Sequence, residues 1–82
     1  MVNLVTEWRD LEEYAKRCRY GCYQVRDAVD GIEVRVLAGK LGYIKTYRDQ
    51  EDPELKRIVE FCEAEGFIKI RGAIPDEQFF TG

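Results

Sequence analysis

The sequence predicts a two-layer α+β domain of element order α-β-β-β-α-β, a four-stranded mixed sheet with two helices on one face. Three observations carry that expectation. Apolar residues recur at helical spacing in two separate stretches, one before residue 20 and one after residue 53. An Asp30-Gly31 pair stands between two runs in which apolar and polar residues alternate, the short-range signature of a hairpin. The second helical stretch lies between two strand-like runs, and a strand–helix–strand crossover of that length makes the last strand parallel to its partner.

The first element follows from Leu4, Trp8, Leu11, Ala15 and Cys18, spaced three or four apart with charged residues between them. Glu12–Lys16 and Glu13–Arg17 are favourably oriented i,i+4 pairs, worth a few tenths of a kcal/mol each. Asn3 or Thr6 is the expected cap, and Gly21 is expected to end the helix in the left-handed conformation. Folding the next stretch at Asp30-Gly31 sets Val29 opposite Ile32, Val25 opposite Val36 and Arg26 opposite Arg35. One face is then apolar and the other mostly polar, as a half-buried sheet requires. "GYIKTY" (42–47) reads as a third strand, entered through the glycine-bearing "AGKLG". Asp52-Pro53 opens the second helix, with Leu55, Ile58, Val59 and Cys62 facing inward, Phe61 on the flank and Gly66 at its close. "FIKIR" (67–71) reads as a short strand with Ile68 and Ile70 inward. Residues 1–74 thus make a single domain, and 75–82 a C-terminal aromatic tail.

Composition narrows function. The chain has 82 residues and a formal charge of −3, which argues against a nucleic-acid backbone as partner because such binding rests on phosphate neutralisation. No apolar run approaches the roughly 20 residues a bilayer demands, so no membrane partner is expected. The first residues lack the layout of a signal peptide, and the expected address is cytoplasmic. Three cysteines, an odd number, are expected as reduced thiols. Histidine is absent, which removes every Ser-His, Cys-His and His-metal mechanism and favours a non-catalytic role.

Four groups of residues remain as candidates. "RDQEDPEL" gathers Asp49, Glu51, Asp52 and Glu54 ahead of the helix. As an EF-hand loop begun at Asp49 it fails, because Pro53 and Glu54 fall where an oxygen ligand and a glycine are required. An irregular Ca²⁺ or Mg²⁺ site on Asp49, Glu51 and Asp52 is the cation reading, and no other cofactor is expected. Against it, Asp52 is a preferred N-cap and Glu51 and Glu54 suit the positive end of a helix dipole. Arg26, Arg35 and Lys45 would form an anion site on the polar sheet face. Glu60, Glu63 and Glu65 crowd the end of the second helix where the dipole disfavours them; either Lys69 or Arg71 from the next strand compensates them, or they form an acidic patch kept for a basic partner. Phe79 and Phe80 either fold back or form an apolar docking patch.

Three partial resemblances stop short of function. The α-β-β-β-α order resembles the double-stranded RNA-binding domain, but that family's lysines at the start of the second helix are matched here by Asp52, Pro53 and Glu54. The second helix, with Asp52-Pro53, Phe61-Cys62 and Gly66, is similar to that of small sulfur-carrier proteins. That family's working cysteine precedes a proline, whereas Cys18 precedes Arg19 and Cys22 precedes Tyr23. The adjacent phenylalanines resemble clamp-binding peptides, whose required glutamine and aliphatic positions are Ala73 and Asp76 here. The leading expectation is a non-catalytic interaction module that docks a protein partner or a second copy through Phe79, Phe80 and the acidic helix end. A divalent-cation domain and a thiol relay using Cys22 are the alternatives.

Overall fold

The computed structural model describes residues 2–81. In chain order the elements are β1 (Asn3–Leu4), α1 (Trp8–Ala15), β2 (Gly21–Ala28), β3 (Gly31–Ala38), β4 (Leu41–Tyr47), α2 (Pro53–Ala64), β5 (Ile68–Lys69) and α3 (Asp76–Phe79). They form an α+β fold around a mixed sheet of five strands ordered β1-β4-β3-β2-β5. The β1–β4 and β2–β5 pairings are parallel, the other two antiparallel. The sheet therefore has one strand more than expected, and α3 is a third helix.

The extra strand comes from residues expected in the first helix. Asn3 donates to Lys40 O at 3.0 Å and Val5 to Gly42 O at 2.9 Å, so the chain start satisfies the edge of β4 instead of winding. The helix begins only at Trp8, with Glu7 in the cap position and no side-chain cap bond. Neither Asn3 nor Thr6 serves as the cap. At the other end the helix tightens into i→i+3 bonds, Arg17 N–H to Tyr14 O and Cys18 N–H to Ala15 O, both at 3.0 Å. Gly21 does not end it; Gly21 opens β2, where a Cβ would lie 2.5 Å from the Phe67 ring. Its glycine is a matter of close approach, not of helix stopping.

The hairpin is present, displaced from the expected register. Ala28 pairs with Gly31, Val25 with Val34, Arg26 with Glu33 and Gln24 with Arg35. The turn sits on Val29-Asp30, where no non-glycine residue takes a positive φ, and Gly31 carries φ +149°. A Cβ on Gly31 would fall 2.0 Å from Tyr47 O, so the backbone of β4 crowds the start of β3 and glycine is held there. Because the displacement is two residues, side-chain parity survives and each face keeps its expected residues.

One face of the sheet meets α1 and α2. Trp8, Leu11 and Ala15 from α1, with Leu55, Ile58 and Cys62 from α2, close over Tyr23, Val34, Val36, Tyr43 and Tyr47. Trp8 meets Tyr43 and Phe61 edge-on at 5.5 and 5.7 Å, geometry that adds to simple burial. α2 ends in a Schellman turn: Gly66 takes φ +75°, Gly66 N–H reaches Glu63 O at 3.1 Å and Phe67 N–H reaches Cys62 O at 2.9 Å. That turn sets the phase of β5. Phe67 is buried, whereas Ile68, expected inward, is 64% exposed.

Candidate functional site

The described face of greatest interest lies where β2 runs past the end of β5. β5 pairs with β2 only at Cys22 and Tyr23, and the last bond of that edge is Ile70 N–H to Tyr23 O at 2.8 Å. Backbone direction alternates along a strand, so Val25 and Asp27 point their N–H and C=O the same way as Tyr23. Among the described residues no backbone group meets them on that side. The chain that would have continued the edge turns away at Gly72, φ +95°, whose carbonyl is held by Gln24 Nε2 at 2.6 Å.

Above this free edge stands the outer flank of α2. The helix turns Arg57 and Phe61 toward α1, as their contacts with Glu12 and Trp8 show, and Leu55, Ile58 and Cys62 into the core. Lys56, Val59 and Glu60 are left on the side away from α1. With Val25, Ile32 and Leu55 they wall an open cleft of about 420 Å³. Its floor is apolar and the charged side chains in its walls are Lys56 and Glu60. Lys56 is engaged by Glu51 at 2.9 Å, which leaves Glu60 as the free charge of the walls; outside the cleft, Glu63 and Arg71 act in opposite senses on the Tyr23 phenol, whose pKa is raised chiefly by burial. Asp27 borders the strand side, exposed.

The residues singled out from sequence scatter around this cleft. Glu60 lines it; Glu63 is exposed outside its walls, and Glu65 caps the C-terminus of α2, exposed and beyond it. The acidic loop is not drawn together. Asp52 Oδ1 accepts from Glu54 N–H at 2.8 Å and Leu55 N–H at 3.4 Å, Asp49 Oδ1 accepts from Glu51 N–H at 2.9 Å, and Glu51 takes Lys56. Among the described residues no three acidic or thiol side chains converge as a metal-holding group. Each carboxylate already serves the local backbone or a cation, which is how a helix start uses them.

The anion set is divided by the sheet. Lys45 stands on the helix face, 3.7 Å from Glu54 and over the Tyr47 ring. Arg26 and Arg35 are on the opposite face, and they are not opposite each other. The two-residue displacement of the hairpin gives Arg26 to Glu33 at 2.6 Å and sets Arg35 beside Gln24. Phe79 is buried and Phe80 half-buried on that same face, so the pair is folded back. Phe79 lies under the Arg35 guanidinium at 4.7 Å, and Asp76 pairs with Arg35 at 2.8 Å.

The three thiols are free, and neither Cys22 nor Cys62 is activated. Cys62 is buried and its pKa is pushed up to about 12 by that burial. Cys22 lies within β2 rather than past a helix end, and burial raises its pKa also. Less thiolate at neutral pH means a weaker nucleophile. Sequence reasoning missed two polar clusters on the helix face. Glu12 accepts from Trp8 Nε1 at 2.9 Å and from Arg57 Nη2 at 2.9 Å, and the bond from Arg57 is the main cause of its lowered pKa. Tyr43 and Tyr47 join hydroxyls at 2.8 Å, and Tyr47 donates to Glu54 at 2.5 Å. Burial pushes Tyr43 up to about 12 and Tyr47 higher still, so both hydroxyls stay protonated and act as donors. The i,i+4 spacings of Trp8–Glu12 and Tyr43–Tyr47 were visible in the sequence; the long-range partner of each was not.

No helix among the described residues is long and apolar enough to cross a membrane. No family model, curated protein or solved structure matches the chain.

Proposed function

We propose that the protein is a non-catalytic interaction module that takes an extended segment of a partner protein along the free edge of β2. The partner strand would bond to Val25 and Asp27 through its backbone and lower one aliphatic or aromatic side chain between Val59 and Ile32. The single observation that carries the reading is the coincidence of the unpaired edge with the apolar cleft beside it. Strand addition draws affinity from main-chain bonds and specificity from a pocket for alternate side chains. The edge supplies the first and the cleft the second. Glu60 in the wall and exposed Asp27 on the β2 edge select a segment with lysine or arginine next to the apolar anchor, by electrostatic complementarity. The absence of histidine and the raised thiol and phenol pKa values support a role without catalysis.

The test is an amide NMR titration with short peptides holding a central Leu or Phe flanked either by lysines or by glutamates. Saturable shifts at Val25–Asp27 and Val59 with the lysine series, and none with the glutamate series, are expected. Asp27→Pro removes a donor that faces outward and so leaves the existing ladder intact; it should weaken binding about tenfold or more. Val59→Glu should do the same from the helix side. Shifts absent from the β2 edge with every peptide would dismiss the reading.

A further inference from the structure

The opposite face of the sheet carries a second constellation with no part in the cleft. Arg35 is fully buried there, 0% exposed. Its Nη1 donates to Asp76 Oδ1 at 2.8 Å and its Nη2 to Gln24 Oε1, while its Nε is buried without a partner. Arg26 Nη2 stands 3.7 Å from the same Asp76 oxygen. Phe79 lies face-on under the guanidinium, and Phe80 meets Phe79 edge-on at 4.9 Å. Phe80 rests over Gly42, where a Cβ would fall 2.7 Å from the ring. Two cations, an amide and a glycine-floored recess are therefore shaped to one sequence pattern: a carboxylate followed three and four residues on by phenylalanines.

The chain fills this receptor with its own residues 76–80, and the filling is incomplete. α3 is one helical turn of four residues, too short to persist alone in water. The Asp76 side chain is 58% exposed and uses one oxygen on Arg35, where a guanidinium offers a carboxylate two parallel bonds. The connection back to β5 is mostly exposed and turns at Gly72. A buried cation with an unused donor is costly to the fold, and it marks a place where a better-placed acceptor gains.

We propose that this face is a docking site for an acidic–aromatic helical turn of a partner protein, which residues 76–80 occupy in cis and which such a partner takes by displacing them. The tethered segment competes at high effective concentration, so the site opens to a partner with the same pattern and stays closed to simple anions.

The test uses the full chain bearing Asp76→Asn, isotope-labelled, titrated with a peptide copy of residues 74–81, IPDEQFFT, and with the same peptide carrying Asn for its Asp. The Asp peptide is expected to give saturable shifts at Gln24, Arg35 and Gly42, and to release the variant's own Phe79 and Phe80 signals. The Asn peptide should bind about tenfold more weakly or worse, and the unaltered chain should bind the Asp peptide less well than the variant does. Equal binding of both peptides, no saturable shift, or shifts confined to the β2 edge would overturn the proposal. So would a doubled mass of the variant before any peptide is added, since the occupant is then a second copy. If Asp76→Asn does not fold, Phe80→Ala, which keeps the ion pair and empties the recess over Gly42, carries the same titration to the same outcomes.

Discussion

Above the sheet, toward the helices, Leu11, Ile58, Val34 and Val36 meet with no exposed surface at all, and each is replaceable in kind by its neighbours' bulk. Below the sheet, Arg35 is equally buried but sealed by particular atoms of Asp76, Gln24 and Phe79, contributed by segments 41 and 11 positions away for the first two. The upper face is held by area, which is insensitive to detail and sums over many contacts. The lower face is held by a few partners, each of which leaves a desolvated group behind when it is removed. Stability and switchability are thus assigned to opposite faces of one sheet.

The sharpest way to break that contrast is to cut each face once and compare. Ile58→Ala removes a fully buried side chain from α2 and should cost about 2–5 kcal/mol in urea unfolding, near the whole stability of so small a domain. Asp76→Asn should cost about 1–3 kcal/mol, with the helix-side aromatic shifts of Trp8 and Tyr43 unchanged and those of Phe79 and Phe80 moved. Equal costs, or a collapse of both sets of shifts with Asp76→Asn, would mean residues 76–80 belong to the same cooperative core and the two faces do not differ in kind.

The same contrast explains what the sequence disclosed. The helical stripes, the hairpin and the polarity of each sheet face were legible because they repeat, and a period survives small errors. The two-residue displacement at Val29-Asp30 left every face correct while reassigning every pair, which is why Arg26 and Arg35, expected directly opposite each other, instead meet diagonally at the Asp76 carboxylate. The close approach of Tyr47 O to Gly31, at the start of β3, is a contact between strands that no local pattern reports. β1 was read as helix because Leu4 fits the stripe of Trp8 and Leu11; its pairing with Leu41 and Gly42 is decided by the unpaired edge of β4. Of the candidate residues, Glu60 was singled out by a wrong-way charge on a helix end, a signal that depends only on the dipole and says nothing of the cleft that Glu60 lines. Val25 and Ile32 were legible as inward-facing residues but not as cleft walls, since that needs the length of β5.

A smaller effect separates polar from apolar work within the upper face itself. Glu12 is lowered chiefly by its bond from Arg57, so the folded state holds its proton less well than the unfolded state does. Its contribution is complete above the ordinary glutamate value of 4.5 and fades as pH falls through the lowered folded value. Glu12→Gln should therefore cost about 1 kcal/mol at neutral pH, with the variant and the unaltered chain converging in stability as the solution is acidified. A constant gap across the whole acid limb would place the loss in packing against Trp8 rather than in charge.

The least effect is expected where neither face is involved. Asp49 accepts a single backbone bond from Glu51 in an exposed turn ahead of α2, and an asparagine offers the same acceptor. Asp49→Asn should move the unfolding midpoint by less than about 0.5 kcal/mol. Millimolar Ca²⁺ or Mg²⁺ should shift the unaltered chain no further than the variant, because an ion stabilises only the state that binds it. A cation-dependent rise in the unaltered chain that Asp49→Asn abolishes would show Asp49, Glu51 and Asp52 leaving Glu51 N–H, Lys56 and the α2 N-terminus to converge on a metal. The loop would then be a third region with a ligand of its own, and the division of labour between the two faces would no longer describe the whole molecule.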